Sequence, residues 1–281
     1  MSAVRVVVVG VGPLGKLVLE ACATRDDLRA VGAVDVAPGL AGSIVHGVDV
    51  VDRLDRLPEA DVAIHTATSR RAAASETIRA LLARGMSVVS SSEELHGEEA
   101  LDAEARAKGL RVVATGVNPG LVMDRLPVLL MSACVRVDAV RVTRVVDLSK
   151  RRQALQKKMG AGLPETDLGA RNDLGHVGLR ESIATLLSAM GHTGEALEHT
   201  LDPILMNGVG AGMDEKLVAR VGGRDVAMLH LRMDMHAQSV DSIEIDGDPP
   251  IRCTFAGGIQ GDRATVGLLL SAAREVGRSQ P

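Results

Sequence analysis

Four sets of residues stand out for what their types and spacing could do. Gly10-Val-Gly12-Pro-Leu-Gly15 spaces three glycines as G-x-G-x-x-G, with Pro13 and Leu14 between the second and third. A turn of this kind bends tightly at the first glycine and lets backbone approach a pyrophosphate at the second; the third allows close helix–strand packing. Asp35 stands 20 residues beyond Gly15, where a carboxylate would accept hydrogen bonds from the hydroxyls of an adenine ribose. Glu93 and Glu94, in Ser90-Ser-Ser-Glu-Glu94, are adjacent carboxylates able to move a proton. The same order reads equally as a helix start, with Ser92 as cap and two acids in the first turn. Asn118, in Gly116-Val-Asn-Pro-Gly120, offers an amide that both donates and accepts. Pro119 stiffens that corner and Gly120 permits the remaining turn; a plain Asx turn is the competing reading.

These residues need elements to place them. Val4–Val9 is a β-branched run with one Arg, as expected of a strand buried on both faces. The segment 16–23 continues with helical spacing, and a second strand over 28–34 ends in Asp35. Further on, 61–66, 87–90 and 110–114 read as strands, while 70–84 and 98–108 read as helices. That alternation predicts a doubly wound parallel sheet. Ligands of such sheets bind at the carboxyl ends of strands, which singles out His65-Thr-Ala-Thr-Ser69, Ser90–Glu94 and Gly116–Gly120. Dinucleotide binding is therefore expected of Gly10, Gly12, Pro13, Leu14, Gly15 and Asp35, with Thr66, Ala67, Thr68, Ser91 and Asn118 at the same edge. Asp35 would repel a 2′-phosphate, and no Arg follows within ten residues. NAD(H) is favoured, with NADP(H) as the alternative.

From Val137 the pattern changes to alternation. Val140, Val142, Val146 and Leu148 fall on one face and Arg141 and Thr143 on the other; Ala227, Leu229, Leu231, Met233 and Met235 alternate with His230, Arg232, Asp234 and His236. These are half-buried antiparallel strands, with a helix over 179–190 to cover them. The expected fold is α/β: a Rossmann-type domain over 1–133, with the C-terminal helix at about 262–276 returning to it, and an α+β domain on a mostly antiparallel sheet over 134–261. Asp262 reads as the cap of that last helix. Residues 164–176 read as a loop that could cover a cleft.

Bulk properties narrow the function. The 281 residues carry a formal charge of −4, which argues against nucleic acid or an anionic membrane as partner. No apolar run approaches the ~18 residues of a membrane span, the N-terminus lacks a signal-peptide pattern, and a cytoplasmic location is the default. Cys22, Cys134 and Cys253 lack C-x-x-C spacing and read as small buried hydrophobes. The histidines show no H-E-x-x-H spacing, so no metal is expected. His65 reads as structural, and His176, flanked by Gly175 and Gly178, is either a pocket residue or a satisfied core histidine. The basic residues 150–152 and 157–158 form a solvated face or an anchor for an anionic group. There is one Phe and no Trp or Tyr, so any pocket lacks ring walls; we have no physical account of that composition.

Taken together, G-x-G-P-L-G, SSSEEL (90–95) and TGVNPGLVMD (115–124) resemble the native amine dehydrogenases and the related 2,4-diaminopentanoate dehydrogenases of the dihydrodipicolinate-reductase-like group. The likeness continues through RVVDLSKRRQALQKKMGAGL (144–163), GHVGLRES (175–182) and GGIQGDRAT (257–265), and so spans nearly the whole chain. The resemblance implies an NAD(P)-dependent enzyme interconverting a ketone plus ammonia with a primary amine, built as a homodimer. It implies that the catalytic glutamate is Glu93 or Glu94 and that Leu121 and Leu126 stand in the substrate pocket, for which Asn118, Pro119, Gly120 and His176 are candidates by their position and flanking glycines. Leu121 and Leu126 stand where the family usually has aromatics, and His96-Gly97 where it often has a Tyr-Pro-Trp-like stretch; a wider, softer pocket follows. The histidine pair and Lys-x-x-x-Ser-Gly-Thr segment of true dihydrodipicolinate reductases are absent. Reduction of a cyclic imine acid is accordingly the alternative, with a non-catalytic nicotinamide sensor as a third reading.

Overall fold

The computed structural model describes residues 2–95, 99–168, 174–193 and 196–278. In chain order the elements are β1 (Val4–Val9), α1 (Pro13–Cys22), β2 (Leu28–Val34), β3 (Ile44–Val45), β4 (Val48–Val51), β5 (Val62–His65), α2 (Arg71–Ala83), β6 (Ser87–Ser90), α3 (Glu99–Arg106), β7 (Val112–Ala114) and α4 (Arg125–Met131). There follow β8 (Arg136–Asp147), α5 (Gln153–Lys158), α6 (Glu165–Leu168), α7 (Leu179–Ala189), β9 (Ala196–Met206), β10 (Val209–Val221), β11 (Arg224–Asp234), β12 (Val240–Asp248), β13 (Ile251–Ala256) and α8 (Gly261–Arg278). The chain divides into two compact units, Met1–Val117 with Gln260–Pro281, and Asn118–Ile259.

The first unit is a seven-stranded sheet in the order β3-β4-β2-β1-β5-β6-β7. Every pairing is parallel except the small β3–β4 hairpin at the edge. Because β1 is central, with β2 on one side and β5 on the other, the chain reverses its winding there. The carboxyl ends of β1 and β5 therefore border the crevice in which such sheets take ligands. Side chains alternate between two apolar layers. Val6, Val8, Val62 and Ile64 pack with α1 and α8, while Val7, Val9, Ala63 and Val88 pack with Ile78 and Leu81 of α2 and Leu101 of α3. Both layers are built from Val, Leu, Ile and Ala, with Cys22 in the first and Met86 in the second, as the lack of rings requires.

The second unit is a six-stranded sheet in the order β13-β12-β8-β11-β10-β9, antiparallel apart from the β8–β11 pair. Val140, Val142 and Val146 are buried on one face opposite Ala227, Leu229 and Met233, as their alternation predicts. Arg144 shares that buried face, which alternation alone does not anticipate. It stays there because its guanidinium meets Asp241 at 2.8 and 3.3 Å and donates to Ile259 O at 2.9 Å; a buried charge needs such a partner. Helix α7 packs on β10 and β11.

The boundary between units falls at Val117/Asn118 rather than at 133/134, because α4 packs against α7, β8 and β12. α8 packs on β1, β5, β6 and α1. It begins at Gly261, and Gln260 Oε1 accepts from Arg263 N at 2.6 Å, so Gln260 supplies the cap that was expected of Asp262. Within the expected loop 164–176, residues 165–168 form α6; positions 169–173 lie outside the described residues, as does His96-Gly97. Cys22 is buried, whereas Cys134 and Cys253 are only half-buried, at the end of α4 and on edge strand β13. No helix among the described residues is long and apolar enough to cross a membrane.

Candidate functional site

Three strand ends of the parallel sheet, with the turn after β2, bring most of the expected cofactor residues together. Gly10 follows β1 with φ +91°, and a Cβ built there would lie 2.5 Å from Ala67 Cα. A Cβ on Gly15 would lie 2.0 Å from Gly10 O. Packing within the protein thus explains both residues. Gly12 is different: a Cβ there would meet nothing within 4 Å. The bare backbone at Gly12 faces open space, and that is where close approach of a pyrophosphate calls for a glycine. Pro13 opens α1, Leu14 is buried beneath it, and the first turn holds no acidic residue. The helix start keeps its positive dipole end for an anion.

Around this turn the neighbours are fixed by hydrogen bonds. Thr66 donates from Oγ1 to Gly10 O at 2.7 Å and from N to Val9 O at 2.8 Å. Thr68 Oγ1 accepts from Arg70 N at 3.1 Å, and Ser91 N donates to His65 O at 3.0 Å. Asp35 Oδ2 accepts from Val11 N at 2.6 Å and Oδ1 from Ala37 N at 2.8 Å. One bond to each oxygen orients the carboxylate and leaves acceptor capacity on both for a pair of hydroxyls.

The two glutamates have separate environments. Glu94 Oε2 accepts from Arg71 N at 2.7 Å and Oε1 from Arg70 Nη1 at 2.8 Å, and Arg71 Nε donates to Glu94 O at 3.1 Å. The Arg71 amide first, and then the Arg70 guanidinium, hold the Glu94 carboxyl below the usual range. Arg71 is the first residue of α2, whose N-cap Arg70 makes no side-chain cap bond. Glu94 therefore caps α2 from a distance. Glu93, its neighbour in the 3₁₀ turn Glu93–Leu95, is half-buried, with Oε2 shielded from solvent. Ser92, read as a possible cap, does not act as one: its Oγ is buried without a partner. Beneath this turn His65 is 0% exposed, and its Nδ1 lies 2.9 Å from Ser90 Oγ. Burial pushes its pKa down to about 4, so the imidazole is neutral near pH 7.

In the second unit the Asn-Pro-Gly corner is clamped by residues that sequence reasoning missed. Asp124, 1% exposed, accepts from Gly120 N at 2.7 Å, from Ser182 Oγ at 3.0 Å and from Arg125 N at the start of α4. Its carboxylate ties the corner to α4 and α7. The signal available was its position four residues past Gly120. The Asn118–Pro119 bond is cis, and a Cβ on Gly178 would lie 2.2 Å from Pro119 Cδ. The corner and the turn before α7 thus sit in direct contact. That turn is held in its own right, because Glu215 accepts from His176 N at 2.8 Å and from His199 Nε2 at 2.9 Å.

The ring of His176 then settles the chemistry of Asn118. His176 Nδ1 accepts from Gly178 N at 3.1 Å, which leaves the proton of a neutral imidazole on Nε2. Nε2 lies 3.5 Å from one end of the Asn118 amide, and the other end is buried without a partner. A donor must face an acceptor, so Oδ1 belongs toward His176 and the NH₂ takes the unpartnered place. A buried donor in that position calls for an acceptor oxygen, which a water or a ligand can supply. Pro119 and Gly120 are buried beside it, and Leu121 and Leu126 are half-buried where the corner turns into α4.

The basic segment 150–158 starts from a carboxylate: Lys150 Nζ lies 3.1 Å from Asp147 Oδ2. The Ser149 hydroxyl, with Lys150 and backbone amides behind it, holds the Asp147 pKa at about 2. Among the described residues no cluster of three or more His, Cys, Asp or Glu is placed to hold a metal.

Known proteins resemble this chain along its whole length. Residues 121–281 match the family model of the 2,4-diaminopentanoate dehydrogenase C-terminal domain, and residues 1–93 match a model described as a CoA binding domain. The chain is 25% identical to a 2,4-diaminopentanoate dehydrogenase from Acetoanaerobium sticklandii, covering 100% of this chain and 92% of that protein. Its fold is similar to that of an amine dehydrogenase from Mycobacterium smegmatis, with TM-score 0.83 and 19% identity over 98% of this chain and 93% of the other. It is also similar to scyllo-inositol dehydrogenase from Lactobacillus casei, solved with NAD(H) and scyllo-inositol, with TM-score 0.66 and 13% identity over 99% and 89%.

Proposed function

Because the chain belongs to the 2,4-diaminopentanoate dehydrogenase family, we propose that it interconverts a ketone or aldehyde plus ammonia with a primary amine. It is an NAD(P)-dependent oxidoreductase of the class acting on CH–NH₂ groups. The residues at the first sheet's carboxyl edge fit a dinucleotide: Gly12 and the start of α1 for the pyrophosphate, Asp35 for the adenine ribose. When bound, the nicotinamide supplies hydride in one direction and accepts it in the other. Asp35 favours NAD(H) over NADP(H), since a 2′-phosphate would meet its carboxylate.

Glu93 is the acid–base residue of this reading, and the observation that carries the assignment is the commitment of Glu94 to α2. In the aminating direction Glu93 takes a proton from ammonium, so that the free amine adds to the carbonyl carbon. The resulting carbinolamine receives that proton from Glu93 on its hydroxyl and loses water, which gives an iminium cation and restores the Glu93 carboxylate. A carboxylate beside that cation stabilises it most where water is scarce. Within the second unit, the Asn118 NH₂ is a donor suited to a ligand's carbonyl oxygen. Leucines in place of rings at 121 and 126 leave room for branched or diamino substrates.

Mixing the protein with NADH, ammonium and a panel of small ketones, and following NADH loss, tests the proposal. Oxidation should require ammonium, and the reverse assay should reduce NAD with 2,4-diaminopentanoate or simpler primary amines. Oxidation that proceeds equally without ammonium would overturn it.

A further inference from the structure

We infer that His65 and Ser90 are positioning residues for Glu93, forming a side-chain bridge between two strand ends that fixes where its segment leaves the sheet. This rests on the reading of Glu93 as the acid–base residue. His65 is the last residue of β5 and Ser90 the last of β6, and the two are paired in register. His65 Nδ1 lies 2.9 Å from Ser90 Oγ, and the same oxygen accepts from Ser92 N at 3.1 Å. Ser91 N donates to His65 O at 3.0 Å, and Leu95 N to Ser92 O at 3.3 Å, closing the turn that contains Glu93. The path from imidazole to catalytic segment therefore runs through one hydroxyl, inside a region where His65, Ser90 and Ser92 are all 0% exposed.

An imidazole at this position carries a stability cost to set against its bond to Ser90 Oγ. His65 Nε2 is buried without a partner, and an orphaned buried polar atom is a cost that a leucine or valine would avoid. Removing the ring, however, frees the Ser90 rotamer and leaves the buried Ser92 amide unpinned at the base of the Glu93 turn. Misplacing a reacting group by about 1 Å can lower turnover by on the order of 100-fold. A rigid ring, held neutral, fixes the hydroxyl without adding charge beneath the glutamate.

The test compares His65→Leu, His65→Asn and Ser90→Ala in the full-length protein, with Glu93→Gln alongside. NADH affinity, active-site concentration from NADH stoichiometry, Tm, KM and kcat are measured for each. We expect His65→Leu and Ser90→Ala to lower kcat by about 10- to 100-fold per folded site, with NADH affinity and ketone KM nearly unchanged. His65→Asn, whose amide can reach Ser90 from the place of Nδ1, should recover part of that loss. A purely structural role would lower Tm or the active fraction and leave kcat per site intact. Wild-type kcat in His65→Leu and Ser90→Ala, with Glu93→Gln inactive, overturns the inference alone. Wild-type turnover in Glu93→Gln overturns the assignment of Glu93 and the inference with it. Should His65→Leu fail to fold, Ser90→Ala, which removes a single oxygen, decides.

Discussion

Glu94 commits both carboxylate oxygens to the start of α2, one on the Arg71 amide and one on the Arg70 guanidinium. A capping acid of this kind contributes about 1 kcal/mol to its helix. Glu94→Gln should therefore lower stability by about that amount and leave turnover within a few-fold of wild type, whereas Glu93→Gln should abolish turnover while NADH still binds. Urea denaturation and steady-state rates on the two variants check this; a dead Glu94→Gln with normal stability would reverse the assignment. The sequence narrowed the acid to a pair and could go no further. The capped amide lies 23 residues away in chain order, and no local pattern marks a contact between a 3₁₀ turn and a neighbouring helix. Asp124 was missed for a related reason, because a carboxylate four residues past a glycine looks like any surface acid until its three donors converge on it.

The elements of the parallel sheet were legible because each carries its own signal: β-branched runs for β1 and β5, helical spacing for α2, glycines for the turn before α1. The second sheet was legible only in part. β8 and β11 alternate cleanly, but β9 is an edge strand exposed along most of its length, interrupted by Pro203 and punctuated by acids, as edge strands that avoid further pairing tend to be. β10 opens with Gly210 and Gly212, which blur its period. Glycine also governs how the second unit joins two of its own elements. Gly178 has φ −95°, an ordinary value, so its constraint is one of space: a Cβ would press on the Pro119 ring at 2.2 Å. Gly178→Ala should thus displace the Asn-Pro-Gly corner or the start of α7. We expect a loss of about 1–3 kcal/mol in stability together with a raised KM for the ketone, measured by thermal melting and kinetics. Unchanged KM and Tm would show that the corner and the turn yield without consequence.

At the scale of the whole molecule, the chain builds two cores and a cofactor edge with one Phe and neither Trp nor Tyr. Val, Leu, Ile and Met can fill such cores to ordinary density, so the fold does not need rings. The composition does fix how ligand binding can be seen. No indole is present to be quenched or to transfer energy to NADH, and binding must be read from the dinucleotide's own emission or from stability. A ligand that binds only the folded state stabilises it by about 2.7 kcal/mol at 100 times its Kd. For a chain of this size that corresponds to a rise in Tm of roughly 5 °C, followed by circular dichroism or calorimetry. We expect NADH to produce this rise, and NADPH at the same concentration to produce much less, because the Asp35 carboxylate is held in place by Val11 N and Ala37 N and cannot swing away from a 2′-phosphate. Asp35→Ala should weaken NADH and narrow the gap between the two dinucleotides. Equal stabilisation by both in the wild-type protein would mean that Asp35 does not face the adenine ribose, and the cofactor preference drawn from it would fall.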